Sequence, residues 1–361
     1  MNIAKLESWA GKKQGEEKKP LIIAGPCSAE TEEQLLNTCK QLTSNGVDIL
    51  RAGIWKPRTR PNSFEGVGEV GLTWFKNVKK ELGMPTATEV ANAQHVELAL
   101  KHEVDVLWIG ARSTVNPFTV QEIADALKGV DIPVIVKNPI NPELALWIGA
   151  IERIYNAGIT KVAALHRGFS TYEKTKYRNA PMWQLAIELK SNLPNVPIIG
   201  DPSHIGGKRE FILPLAQKAL DLDFDGLMIE THIDPDNAWS DASQQVTPSR
   251  LTEILKELKV RTVSSADVEV VNQLEELRRK IDSIDSEIME HLAARTRLVE
   301  KIGEYKKANN ITVFQVDRWL KVFQTRPEWA EKQNLSKDFI ANIYKLIHDE
   351  AIRIQTKIVN S

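Results

Sequence analysis

Val47-Asp48-Ile49-Leu50-Arg51-Ala52-Gly53-Ile54-Trp55-Lys56-Pro57-Arg58-Thr59-Arg60-Pro61 passes from a short apolar run into a loop with four cations and two prolines. The apolar run is a strand, and the loop after it is stiff and anion-binding. Arginine forks grip phosphate or carboxylate with two parallel donors, and proline fixes φ, so a rigid basic loop suits a small, highly charged substrate. A solvated basic turn is the plainer alternative, but it has no need of that stiffness.

The same unit, an apolar run followed by a polar loop and a helical stretch, recurs along the chain. Apolar runs lie at Leu21–Ala24, Val47–Leu50, Pro85–Thr88, Val104–Ile109, Pro133–Val136, Ile159–Leu165, Val196–Ile199 and Phe224–Ile229. Between them, stretches such as Glu32–Leu42, Ala91–His102, Val120–Leu127, Glu143–Tyr155 and Arg209–Leu220 space their apolar residues for helix, and Pro248–Leu258 supplies the eighth. Eight strand-helix units predict a closed (β/α)8 barrel over residues 20–260 rather than an open doubly wound sheet. Residues 1–19 read as a frayed arm in which Leu6 and Trp9 can pack a helical turn onto the body.

In such a barrel the working groups belong at the C-terminal ends of the strands. Cys27 follows the first run, Arg51, Lys56 and Arg58 the second, and Arg112 the fourth; Lys137 ends the fifth, and His166 and Arg167 follow the sixth. Asp201 and His204 come after the seventh run, Glu230 ends the eighth, and Asp241 lies in the loop beyond it. Cys27, His204, Glu230 and Asp241 together offer soft, borderline and hard donors, a set for a divalent transition metal of the Mn, Fe, Co or Zn class. Arg51, Lys56, Arg112, Lys137 and Arg167 would surround that ion with positive charge, with Glu89 orienting them, so the substrates carry phosphate and carboxylate.

After a short polar link at 261–267 the texture changes. A helix of about forty residues runs from Val268 to Lys307, followed by helices at Val316–Thr325 and Lys337–Ile358. The stripe Val271, Leu274, Leu277, Ile281, Ile284, Ile288, Leu292, Val299, Ile302 keeps helical spacing over a rod of about 60 Å, more than two shorter helices can cover. Residues 268–361 therefore read as a three-helix domain completed by a second copy, making the protein at least a homodimer. Arg295 and Lys306 fall on the buried stripe, which calls for an anionic ligand; Arg278, Arg318 and Gln355 are further candidates.

Composition sets outer bounds. A formal charge of −1 gives no reason to expect nucleic acid or a membrane surface. Cys27 and Cys39 form no disulfide framework, and the lysine-rich start has no apolar signal segment, so a cytoplasmic protein is expected.

The motifs Gly25-Pro26-Cys27-Ser28, Lys56-Pro57-Arg58-Thr59, Gly110-Ala111-Arg112, His166-Arg167-Gly168 and Asp201-Pro202-Ser203-His204 resemble those of 3-deoxy-D-arabino-heptulosonate 7-phosphate (DAHP) synthases, in the branch related to 3-deoxy-manno-octulosonate 8-phosphate synthases. Residues from about Val268 onward resemble the all-helical AroQ-class chorismate mutases. The resemblance implies condensation of phosphoenolpyruvate with erythrose 4-phosphate at the start of aromatic amino-acid synthesis. It assigns the phosphoenolpyruvate phosphate to Arg112, Lys137 and Arg167, its carboxylate to Arg51 and Lys56, the tetrose phosphate to Pro57, Arg58 and Thr59, and metal ligation to His204 and Asp241. In the helical domain it implies rearrangement of chorismate to prephenate, with Arg278 of the partner chain, Arg295, Lys306, Arg318 and Gln355 as the substrate contacts. Gln315 stands where many mutases have aspartate, Trp319 where many have glutamate and Ala351 where many have serine. Lys306 and Gln355, which serve the ether oxygen in the resemblance, remain, so activity is expected. The fusion itself implies that prephenate or chorismate restrains the barrel. The alternatives are a helical domain that only binds ligand and dimerises, and a barrel that makes the octulosonate.

Overall fold

Each of the eight apolar runs becomes a strand. The computed structural model describes residues 1–9, 19–56, 64–172, 175–261 and 267–361. Strands β1 Leu21–Gly25, β2 Ile49–Arg51, β3 Thr86–Val90, β4 Val106–Ile109, β5 Val134–Lys137, β6 Val162–His166, β7 Ile198–Gly200 and β8 Gly226–Glu230 pair in parallel in sequence order, and β8 closes on β1 through Leu21↔Gly226. Several strands begin later than their apolar runs. Asp48, Asp105 and Asp225 stand just before β2, β4 and β8, where their carboxylates accept amides at the start of neighbouring strands, Ile22 N at 2.8 Å, Thr86 N at 2.9 Å and Ile198 N at 2.9 Å. These residues finish the barrel floor and do not extend the ladder.

The helices are α1 Glu32–Leu42, α2 Val70–Leu82, α3 Ala93–Lys101, α4 Ala111–Thr114, α5 Pro117–Ala126, α6 Leu144–Asn156, α7 Trp183–Asn192, α8 Pro202–Gly206, α9 Ile212–Asp221, α10 Pro248–Glu257, α11 Val268–Ala308, α12 Val316–Lys332 and α13 Lys337–Asn360. Side-chain caps from Thr31, Asn92, Asn116 and Thr247 start α1, α3, α5 and α10, each satisfying amides that a helix leaves unpaired. Strand residues of one parity face the helices and those of the other fill the barrel. The inner set contains Leu21, Ile23, Ile49, Ala87, Val106, Trp108, Ile135, Ala163, Leu165, Ile199 and Met228, closed from below by Leu6 and Trp9 of a single 3-10 turn.

Met1–Val263 and Ser264–Ser361 are two separate compact units. In the second, α13 packs along α11 and α12, burying Val299, Ala330 and Ala351 together with Lys306 and Gln355. Helix α12 overruns its expected end at Thr325, because Ala330, beyond Pro327, still has a buried face to fill. Along the first two thirds of α11, Leu277, Ile281, Ile284 and Ile288 are 55%, 56%, 55% and 50% exposed in the single chain. No described helix is long and apolar enough to cross a membrane.

Candidate functional site

The inward parity continues past the last apolar layer, and at that level the residues become polar. Two residues beyond Ile49 is Arg51, beyond Ala87 Glu89, beyond Ile135 Lys137, beyond Ile199 Asp201 and beyond Met228 Glu230. A two-residue period thus puts two cations and three carboxylates on top of a hydrophobic plug. Trp108 is the floor between them: the Arg51 guanidinium lies 4.7 Å from its ring centre, Lys137 Nζ 5.6 Å, and its indole N–H donates to Glu89 Oε2 at 2.8 Å. Gly25 and Gly110 keep this level open, since a Cβ would meet Arg51 O at 2.0 Å in the first case and Glu89 Oε1 at 2.3 Å in the second.

The buried charges are paired. Arg51 Nη1 donates to Glu230 Oε1 at 3.2 Å and Nη2 to Cys27 O at 3.0 Å, while Glu230 Oε2 accepts from Gln244 at 2.7 Å. Lys137 Nζ lies 3.6 Å from Asp201 Oδ2, which also sits 2.7 Å from His204 Nδ1. Removing one member of such a pair costs about 3–5 kcal/mol, because the other charge stays buried alone. Burial opposes ionisation of Asp201 and Glu230, but the charges of His204 and Lys137 for the first, and of His204 and Arg51 for the second, hold both carboxyls below their ordinary range. Burial lowers the Lys137 ammonium, with Asp201 opposing that shift.

Cys27, Glu230 and Asp241 bring one potential donor atom each to within 4.8 Å of one another. His204 stands beside them, its Nε2 3.7 Å from Glu230 Oε1. Lys56 Nζ donates to Cys27 Sγ at 2.8 Å, and Sγ donates to Asp241 Oδ2 at 3.2 Å. Burial, aided by Glu230, pushes the Cys27 thiol up to about 12. Asp241 adopts φ +50°, a left-handed conformation uncommon outside glycine, and Arg178 holds it by donating to its Oδ1 at 2.8 Å and to Gln244 Oε1 at 2.6 Å. The loop is tied down further by Gln245 Oε1, which accepts the Cys27 amide at 2.8 Å, and by Glu30, which takes the Trp239 amide at 2.7 Å and lies 3.4 Å from His232. Next to this cluster a cavity of about 310 Å³ is lined by Glu89, Arg112, Lys137, Arg167, Arg178 and His204, with Asn179 and Ser170.

The barrel thus gathers Cys27, Arg51, Lys56, Arg112, Lys137, Arg167, His204, Glu230 and Asp241 at one end. Pro57, Arg58 and Thr59 lie outside the described residues. His166, expected at the rim, is not there. It follows inward Leu165 by one residue, so it points into the helix layer among Trp147, Phe169, Trp183 and Phe224; burial drops it to about 4 and its Nε2 bonds Pro181 O at 2.6 Å. Arg178 and Asn179 escaped sequence reading because they lie in an irregular loop with no period to place them. Arg178 is nonetheless the closest cation to Asp241, and Asn179 Oδ1 accepts from Arg167 at 2.9 Å.

In the helical unit Arg295, Lys306, Arg318 and Gln355 line one cavity of about 320 Å³, with Gln315, Arg326, Tyr344, His348 and Ala351 among the other walls and no acidic side chain. Lys306 Nζ donates to Val313 O at 2.5 Å, and burial lowers both Lys306 and Arg295. Arg278 is elsewhere: exposed on α11, it pairs with Glu275 of its own helix. Arg326 and His348, which sequence reading left out of this site, face the cavity; Arg326 lies over Trp329 at 4.1 Å.

Residues 3–264 match the family model described as DAHP synthetase I family. The chain belongs to that family. Residues 277–356 match the model for chorismate mutase type II, so synthase and mutase domains are both present. A phospho-2-dehydro-3-deoxyheptonate aldolase of Thermotoga maritima is 33% identical over 238 residues, covering 66% of this chain and 68% of that protein. A 2-dehydro-3-deoxyphosphooctonate aldolase of Legionella pneumophila is 32% identical over 266 residues, 67% of this chain and 91% of its own. The crystal structure of the DAHP synthase from Thermotoga maritima superposes with a TM-score of 0.60 at 31% identity, covering 68% of this chain and 71% of that one.

DAHP synthases are generally metal-dependent, and the residues of this synthase barrel fit a divalent ion. Thiol, carboxylate and imidazole donors converge from the end of β8 and from the segments after β1, β7 and β8. A thiol held up to about 12 by burial gives up its proton to a cation in preference to water, so loading such a site releases a proton.

Proposed function

We propose that the barrel of this chain condenses phosphoenolpyruvate with erythrose 4-phosphate, giving DAHP and phosphate, and that the helical domain converts chorismate to prephenate. The observation that carries the barrel reading is the row of inward charges above Trp108, which opens on one side to Cys27, Glu230 and Asp241 and on the other to the cavity with Arg112, Lys137 and Arg167. Phosphoenolpyruvate fits with its phosphate among those three cations and its carboxylate toward Arg51 and Lys56. Cys27, His204, Glu230 and Asp241 would hold a divalent ion of the Mn, Fe, Co or Zn class, which supplies Lewis acidity for the aldehyde oxygen. Lys56 beside Cys27 and Lys137 beside Asp201 bring positive charge to the site and stabilise the negative charge that develops on the aldehyde oxygen. Water adds to the carboxylate-bearing carbon and phosphate departs into the Arg112, Arg167 and Lys137 cluster.

In the mutase domain no nucleophile is needed, because the rearrangement is unimolecular. Arg295 and Arg318 take the two carboxylates, Lys306 and Gln355 meet the ether oxygen, and Arg278 arrives from a second copy along the exposed α11 stripe. We further read prephenate as an inhibitor of the barrel and the protein as a cytoplasmic homodimer at least, with no nucleic-acid or membrane partner. The apolar face of α11 supports the homodimer, and the balanced charge supports the absence of a nucleic-acid or membrane partner.

The deciding experiment offers purified full-length protein, reconstituted with manganese, phosphoenolpyruvate with either erythrose 4-phosphate or arabinose 5-phosphate and follows loss of enol absorbance. Turnover with the tetrose, slowed by added prephenate, is the expected result. Turnover with the pentose alone makes the barrel an octulosonate synthase.

A further inference from the structure

Two adjacent residues in the stretch between β6 and α7 brace different parts of the rim. Arg178 serves Asp241 and Gln244, while Asn179 serves two other groups. Asn179 is buried, with Oδ1 accepting from Arg167 Nη1 at 2.9 Å, Nδ2 donating to His204 O at 2.6 Å and its backbone N–H donating to Ile205 O at 3.2 Å. A guanidinium only donates and a carbonyl only accepts, so these partners fix which end of the amide is which. Gly168, at φ +77°, lets the turn close against it, since a Cβ there would meet the Asn179 Cβ at 2.9 Å.

The Arg167 guanidinium differs from Arg51 and Lys137 in the company it keeps. Those two each face a carboxylate, whereas the described acceptors of the Arg167 guanidinium are two neutral oxygens, Asn179 Oδ1 and Gly168 O, the latter at 3.3 Å. Burial lowers this guanidinium to about 10, with Asp201 opposing the shift, so it stays charged at neutral pH. A neutral acceptor holds a cation in place without cancelling its charge, and the five N–H groups of a guanidinium leave donors free for an anion. Arg167 and Asn179 both line the cavity that Arg112 and Lys137 share. The other end of the amide fixes His204 by its carbonyl, and Asp201 Oδ1 fixes the same residue by its backbone N–H at 3.0 Å.

We propose that Asn179 is a positioning residue for the enol substrate: its uncharged amide aims Arg167 at the phosphate with the cation's charge intact and ties that guanidinium to the backbone of His204. This rests on the synthase reading of the barrel. An alanine here would release Arg167 into a looser set of conformers. Aspartate would keep a bond to Arg167, but it would set a carboxylate in competition with the phosphate for that cation and would face His204 O with no proton to donate.

The test measures binding of phosphoenolpyruvate and of inorganic phosphate to the full-length protein, reconstituted with manganese, by calorimetry. Asn179→Ala is expected to weaken both anions about 10-fold, and Asn179→Asp, although nearly the same shape, at least about 30-fold. The KM of phosphoenolpyruvate should rise in step, while that of erythrose 4-phosphate changes less than about threefold. A side chain that merely fills space would give the reverse order, with the isosteric aspartate tolerated better than alanine, and that result overturns the assignment. Equal rises in both KM values overturn it too, and the alanine variant decides on this comparison if the aspartate variant does not fold. Binding of neither anion by the unaltered protein, with no condensation, overturns the synthase reading and the assignment with it.

Discussion

At the barrel rim Arg51 is bonded to Glu230 and Lys137 lies against Asp201, whereas in the helical pocket Arg295, Lys306, Arg318 and Arg326 face no acidic wall. Both sites await anions, but they carry their cations differently. The rim compensates its charge inside one chain, on strand ends whose positions the barrel dictates. The helical pocket leaves the compensation to whatever enters it, and Arg278, proposed to reach it from a second copy, pairs with Glu275 of its own helix in the single chain. The first site is preorganised by its own protein; the second is completed by what arrives.

The sharpest way to break this contrast is at the donor cluster. Cys27→Ala is expected to lower synthase turnover at least about 100-fold and to strip transition metal measured by atomic emission, with chorismate mutase rates changed less than about twofold. A mutase rate that falls in parallel would mean the sites are not independent. Next is the α11 stripe. Ile284→Glu puts a charge on the apolar face and is expected to turn a dimer into monomers in sedimentation, weakening association by at least about 100-fold. Chorismate turnover should fall with it while the barrel's condensation persists; an unaltered sedimentation profile would show that α11 does not meet a second copy. The smallest effect is expected from Arg178→Ala, which removes the cation that holds Asp241 and Gln244 but none of the donor atoms. Metal affinity should weaken about tenfold, with turnover at saturating metal largely restored.

The fold was legible because its signal is a repeat: eight apolar runs, each followed by a helical period. Most of the rim was legible too, since charged residues directly after apolar runs have few other places to go in a barrel. His166 shows the limit of counting residues after a run without counting parity. Leu165 points inward, so its neighbour points out, and the imidazole ends among aromatic rings. Arg178 shows another limit, because a loop has no period from which to project a side chain. In the helical domain, spacing placed Arg295 and Lys306 on the buried face but passed over His348, which lines the same cavity and whose ring centre lies 3.9 Å from that of Trp319. Trp319 on α12 and His348 on α13 come into contact only in three dimensions.

The alternation along the strands also has a consequence for how this sequence can change over generations. Ile135 fills the barrel and Lys137 reaches the cavity because both lie on the same side of β5, as do Met228 and Glu230 on β8. Losing or gaining a single codon within either strand would turn the working residue into the helix layer and an aliphatic one into the cavity, destroying catalysis and packing at once. The loops at the opposite end of the barrel, which lead from each helix to the next strand and carry none of the site residues, are freer of that coupling. Length variation in descendants of this gene should therefore collect between each helix and the next strand, while inside the eight strands only substitution is open to selection.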